Sequence, residues 1–480
     1  MSNKLDESTQ RGLKARHLSM IAIGGSIGTG LFIASGGAIS EAGPGGALLA
    51  YAIIGCMVFF LMTSLGELAT YMPVAGSFST YANRFVDPAF GFALGWNYWL
   101  NWAITLAVDI STTSIIMQYW FPHVPGWIFS IGFLSLIVLL NFLSVSVFGE
   151  AEYWFSMIKV ITVCCFIGVG LLTIFGIFNG KFIGMHNFHV GKAPFVGGVP
   201  ALFGACVIAG FSFQGVEMVG ITAAESENPE QSIPKAVKQI FWRILLFYVG
   251  AIFVIGLIIP YTSPNLLSQE VSDVTTSPFT LVFQKAGLAM AASVMNAVIL
   301  TSVLSAANSG LYAGTRMLYA LACNKQAPKI LKKVNKRGIP FCALIATTII
   351  GGLAFLTSIL GPSIYSLLVT ASGLTGFIAW LGIAVCHIRF RQAFIKQGHT
   401  LAELPYRAKW FPFGQVLAFV LCLGVILLQD IPAVIHHDLT SLAITYMSVP
   451  VFIVLFIYYK VKHKTKLIPL EEVDLTREEI

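Results

Sequence analysis

The chain has 480 residues, 56% of them hydrophobic and 11% charged, with a mean hydropathy of +0.80 and a formal net charge of +7. So few charges cannot cover the surface of a soluble protein of this length, which excludes that class. Nucleic-acid binding is excluded by where the basic residues fall: they cluster in Lys4 to Arg16, Lys325 to Arg337, Arg389 to Lys409 and Lys460 to Arg477, between long uncharged runs.

Those runs predict an all-α integral membrane protein of about twelve spans, each needing ~20 apolar residues to cross the hydrocarbon core. They fall at 17–39, 45–71, 88–118, 125–148, 154–178, 196–222, 238–261, 279–306, 339–358, 363–388, 411–429 and 441–460. Asp109 is the only charge between Asp87 and Glu150, and none lies between Arg337 and Arg389. The first apolar segment is too long for a cleavable signal peptide and lacks a small-residue cleavage site. With an even span number and the amino terminus inside, 25 of the 29 Lys and Arg share one side. Lys181, Lys192 and Lys285 lie on the other, and Lys159 sits within a span. The positive-inside rule then puts both termini in the cytoplasm. The expected organisation is a tail at 1–16, a core at 17–388, peripheral helices at 389–460 and a second tail at 461–480.

Span one contains IAIGGSIGTGLF, Ile21 to Phe32, with glycines at 24, 25, 28 and 30. Each interior glycine costs a helix roughly 0.5–1 kcal/mol relative to alanine. GxxxG packing accounts for Gly24 and Gly28 on their own. Span six, VIAGFSFQGVEMVG (Val207 to Gly220), repeats the glycine density at 210, 215 and 220 and adds an acid, Glu217. Breaks in spans one and six are what an inverted five-plus-five repeat produces, with repeats at about 17–178 and 196–388. At such breaks freed N–H groups suit a carboxylate and freed carbonyls suit an ammonium. The pattern therefore predicts interruptions near Gly24–Gly30 and Gly210–Gly215, flanking a midplane site for an α-amino acid.

Charges inside spans are functional candidates by default. Asp109 in span three and Glu217 in span six can each bridge helices, gate, or contact the substrate directly. In GWNYWLNW, Trp96, Tyr98, Trp99 and Trp102 offer a cation–π surface or ordinary packing. Snorkelling covers Glu67 and Lys285. The eight cysteines, without CxxC spacing, are expected to pack as small hydrophobes, and His186-x-x-His189 to belong to an ordinary external loop. No HExxH, GxSxG, P-loop or Cys/His cluster is present, so neither an enzyme, a catalytic or metal site, nor ATP-driven transport is expected. Broken helices around one closed site suit alternating access better than a channel. A pure amino-acid sensor is disfavoured by the short tails, although a carrier that also reports occupancy to a membrane partner stays open.

GGSIGTGLF with AGPGGALLAY, then FSFQGVE with ESENPEQSIPKAV, resembles the amino acid permeases of the amino acid–polyamine–organocation superfamily over essentially the whole chain. MTSLGELATYMPVAGSF, FGEAEYWFSMIKV, SPFTLVFQKAG and GLTGFIAWLGIAVCHIRFR resemble its bacterial lysine-specific branch. The resemblance implies a leucine-transporter-like fold and import of L-lysine across the bacterial inner membrane. Other substrates left open are arginine, histidine or an aromatic amino acid, as is exchange. It also implies that Ser26, Ile27, Gly28, Thr29 and Gly30 hold the substrate, and that Phe211, Ser212 and Phe213 form the broken part of span six, with Phe211 as gate. Asn308 would line the pocket. In proton-coupled relatives a lysine matching Lys159 takes the place of sodium, which implies a proton as coupling ion and no other cofactor. Protonated Lys159 would bond carbonyls near Ala22 to Gly25 and hydroxyls such as Ser305.

Overall fold

The computed structural model describes residues 13–24, 27–143, 145–178, 180–267, 277–355 and 362–477. Among these the regular structure is helical, and extended pairing is limited to one bridge, Leu13 to Ser226. The helices are α1 (Ala15–Gly24), α2 (Ser35–Tyr71), α3 (Phe78–Phe85), α4 (Pro88–Gln118), α5 (Gly126–Leu143), α6 (Val145–Ile174) and α7 (Gly198–Phe213). They continue as α8 (Met218–Ile221), α9 (Pro229–Arg243), α10 (Gly250–Ile258), α11 (Pro264–Leu267), α12 (Pro278–Lys285) and α13 (Ala289–Cys323). The last six are α14 (Phe341–Gly351), α15 (Pro362–Lys396), α16 (Phe413–Leu428), α17 (Ile431–His436), α18 (Leu439–Tyr446) and α19 (Ser448–His463).

Eight helical stretches among the described residues are long and apolar enough to cross a membrane, or nine if the pair α18–α19, bent by 57°, is one span. The expected spans one and two run together from Gly30 to Tyr71 through a π-turn, Gly30–Ala34. The two parts meet at Gly43, whose φ of 77° interrupts the helix just before Pro44. Only glycine adopts that conformation at little cost, and proline withholds the N–H that would continue the helix. The ranges expected at 339–358 and 411–429 hold the shorter α14 and α16.

Both predicted interruptions are present. α1 stops at Gly24, Ile27 and Gly28 are non-helical, and helix resumes at Thr29; Gly25 and Ser26 lie outside the described residues. α7 stops at Phe213, Gly215 takes φ 95°, and the chain resumes as the single turn of α8. The two breaks cross: a Cβ on Gly30 would lie 2.4 Å from Ser212 Cα. α2 packs along α7, and α4 along α13 and α15, so the breaks face the buried side of α4.

Glu67 does not snorkel. It is fully buried and chelated by the Arg391 guanidinium of α15, with His387 Nε2 3.1 Å away and the Ala408 N–H donating to it at 2.6 Å. A carboxylate enclosed by helices can stay charged only with such partners.

Candidate functional site

Where the two breaks face α4 there is a cavity of ≈ 30 Å³, bounded by Gly28, Thr29, Gly30, Trp102, Thr105, Asp109, Phe211, Gln214 and Ala306. A space of this size holds water but not an amino acid, so a larger guest enters only as the walls part. Small residues on α13 set the wall: Ala306 faces Gly28, and a Cβ on Gly310 would lie 2.9 Å from the Trp102 ring. α4 reaches the first break directly, because Thr29 Oγ1 donates to Asp109 Oδ1 at 2.8 Å. The other oxygen, Asp109 Oδ2, is buried and accepts no hydrogen bond among the described residues. A buried carboxylate oxygen with spare acceptor capacity, on the wall of a cavity, is suited to an ammonium group.

Opposite it, a polar ladder ties the second break to α15. Gln214 Nε2 donates to Ser372 O at 2.9 Å, Thr105 Oγ1 and Ser372 Oγ are 2.6 Å apart, and Thr375 Oγ1 donates to Asn101 Oδ1 at 2.8 Å. Thr105, Gln214 and Ala306 were missed in the sequence. Thr105 carried a usable signal, because it lies one turn before Asp109 on the same helical face.

Of the residues expected here, Gly28, Thr29, Gly30, Asp109 and Phe211 line the cavity. Ile27 is fully buried beside it in sequence but not on its wall, and Ser26 lies outside the described residues. Ser212 points away, its Oγ 2.7 Å from Tyr51 OH. Phe213 stacks on Tyr248 with ring centroids 4.1 Å apart. Asn308 faces α5, where Asn141 Nδ2 donates to its Oδ1 at 2.8 Å. Of the aromatics on α4 only Trp102 reaches the cavity; the Trp96 and Trp99 indoles donate to Gln326 O and Thr347 Oγ1.

Glu217 closes the second break without lining the cavity. Its Oε1 accepts from Tyr98 OH at 3.0 Å and Gly215 N at 3.3 Å, and its Oε2 from Trp380 Nε1 at 3.1 Å. It thus clasps α4 and α15 to the break. Glu217→Gln puts an NH₂ group where only donors point, and losing a charged hydrogen bond costs ~1.5–3 kcal/mol. Uptake of labelled substrate by this variant should slow by about tenfold or more. Wild-type uptake with wild-type pH dependence would sink the clasp.

Lys159 is fully buried in the bundle and does not snorkel. Its Nζ lies 4.0 Å from Glu152 Oε1, and Ser305 Oγ, expected on the lysine, donates to Glu152 at 2.6 Å. Glu152 and Arg243, both buried, were not singled out in the sequence. Each sits near the end of a predicted span, where a charge reads as a boundary. Below the site, Leu13 N donates to Glu225 O and Glu227 N to Leu13 O, both at 3.1 Å, while Arg316 Nε donates to Glu225 Oε1 at 2.7 Å. These bonds seal the end of the bundle that carries the N-terminal residues.

The family model for amino acid permeases matches residues 17–470. The chain is 58% identical to the lysine-specific permease LysP of Escherichia coli (strain K12), over 96% of both chains. It is 55% identical to the lysine-specific permease LysP of Lactococcus lactis subsp. cremoris (strain MG1363), over 99% of this chain and 95% of the relative. It is also 58% identical to the histidine permease HisP of the same Lactococcus strain, over 98% of both. With a matching family model across nearly its full length and these permeases as relatives, the chain belongs to the amino acid permease family and is an integral membrane protein.

Proposed function

We propose that this protein is a secondary active transporter that imports L-lysine with protons across a bacterial inner membrane by alternating access. The observation that carries the reading is the cavity between two broken helices, with Asp109 Oδ2 buried on its wall and accepting no hydrogen bond among the described residues. Freed backbone groups of the breaks hold the α-carboxylate and α-ammonium, and Asp109 takes an ammonium of the substrate. The architecture is read as twelve spans in a leucine-transporter-like arrangement, two inverted repeats plus two peripheral helices, with both termini cytoplasmic. Two relatives named for lysine support that substrate; the histidine permease at equal identity keeps histidine as the second reading. Uptake of labelled lysine into proteoliposomes, with unlabelled histidine, arginine and ornithine as competitors, tests it. Inhibition by histidine equal to that by unlabelled lysine would overturn the lysine assignment.

Lys159 is read as the proton-carrying group, since its amine is enclosed among charges rather than directed to headgroups. Lys159→Gln and Lys159→Met should both bind lysine yet fail to accumulate it under an inward proton gradient, because coupling is differential binding to two conformations. Accumulation at the wild-type rate in both variants would place the proton elsewhere.

A further inference from the structure

Glu152 stands two helical turns before Lys159 on α6, on the same face. It is fully buried, and a carboxylate enclosed in a bundle is costly unless something compensates its charge. Its Oε1 accepts from Ser305 Oγ of α13 at 2.6 Å and lies 3.5 Å from Ser156 Oγ and 4.0 Å from Lys159 Nζ. Its Oε2 accepts no hydrogen bond among the described residues. Among the described residues the surroundings offer few other charges. Asp109 of α4 and Arg243 at the end of α9 act on Lys159 through space. On α1, Arg16 and His17 are engaged by Glu150 near the start of α6. On α13, Arg316 is engaged by Glu225, and on α12 Lys285 Nζ donates to Ile258 O. α5 and α10 carry no charged residue, and the π-turn Ile244–Val249 contributes only Tyr248.

We infer that Glu152 is a positioning residue for proton coupling: it holds the coupling proton on Lys159 and, through Ser305, ties that protonation to the contact between α6 and α13. The inference rests on the reading of Lys159 as the proton-carrying group. With the ammonium formed, the pair is neutral overall and stays enclosed. When Lys159 releases its proton to water, Glu152 is left as a buried anion whose nearest compensating charge is gone. Removing one partner of a buried pair is strongly destabilising, so the enclosed arrangement becomes the unfavourable one and the seam between α6 and α13 is driven to open. Reprotonation of the amine restores the closed seam.

The test is gradient-driven lysine accumulation in proteoliposomes as a function of pH, alongside thermal unfolding of the purified full chain. An opposite charge at this distance favours the ammonium, so Glu152→Gln should move the pH at which accumulation is half lost downward by about 1–3 units. Its lysine affinity without a gradient should stay within about twofold of wild type. Lys159→Gln should lower the unfolding temperature, and adding Glu152→Gln should recover part of the loss, since the double variant no longer leaves the Glu152 carboxylate buried without its lysine partner. An unshifted midpoint in Glu152→Gln, with Lys159→Gln uncoupled, overturns this inference and leaves Lys159 as the proton carrier. Lower stability of Glu152→Gln without a midpoint shift reduces Glu152 to a structural clasp on Ser305 and likewise overturns it. Wild-type accumulation by Lys159→Gln overturns both readings. If Glu152→Gln does not reach the membrane, Glu152→Asp should give a smaller downward shift, and an unchanged midpoint there is equally fatal.

Discussion

Gly30→Ala should abolish uptake while the protein persists in the membrane. The added Cβ would lie 2.4 Å from Ser212 Cα and 2.8 Å from Ser212 N, so the obstacle is backbone and cannot rotate away. Relief requires the two breaks to separate, which widens the site between them. Overpacking of this kind costs ~1–3 kcal/mol, which a bundle of this size survives. A site held about 1 Å out of place, however, can lose ~10²-fold in rate. Uptake is therefore expected to fall about a hundredfold or more, with the chromatographic profile of the detergent-solubilised protein unchanged. Gly28→Leu should act alike, since even a Cβ there meets Ala306 Cβ at 3.0 Å. Gly132→Ala and Gly168→Ala are the controls: a Cβ at either meets nothing within 4 Å. Their uptake should stay within about twofold of wild type. Full activity in Gly30→Ala would mean that the crossing of the breaks does not shape the site.

Asp109→Asn should weaken lysine binding by about 10- to 150-fold, the equivalent of the ~1.5–3 kcal/mol of a hydrogen bond to a charged group. The amide keeps the size of the carboxyl and can still accept from Thr29 Oγ1, so the first break stays tied to α4. What it loses is the charge, and its NH₂ group takes the place of the oxygen that has no hydrogen-bond partner among the described residues. Titration calorimetry on the purified protein without a gradient separates this from the Glu217→Gln effect, which is expected on rate. An affinity within about twofold of wild type would show that Asp109 only bridges α4 to the break, and the ammonium would then rest on backbone carbonyls alone.

The class, the glycine-marked interruptions and the cavity positions Gly28, Thr29, Gly30, Asp109 and Phe211 were legible in the amino-acid sequence, because hydropathy, glycine and proline act through the local chain. Glycines at 24–30 and 210–215 weaken a helix wherever the rest of the chain lies, and an acid in an apolar run stands out in any fold. The partners of these residues were not legible, because which face of one helix meets which face of another is set by packing. Ser212 and Phe213 belong to the same broken segment as Phe211, yet they turn to Tyr51 and Tyr248. Glu67 read as a snorkelling residue until α15 brought Arg391 to it across more than three hundred residues. Tertiary structure likewise decided that Ser305 serves Glu152, that Gln214 and Thr105 share Ser372, and that Glu217 clasps two helices away from the cavity. The sequence by itself determined that two helices break at their glycines and that Asp109, Lys159 and Glu217 lie inside apolar runs. The geometry of packing decided which charges meet, since a buried polar group must find its partner in space and not along the chain.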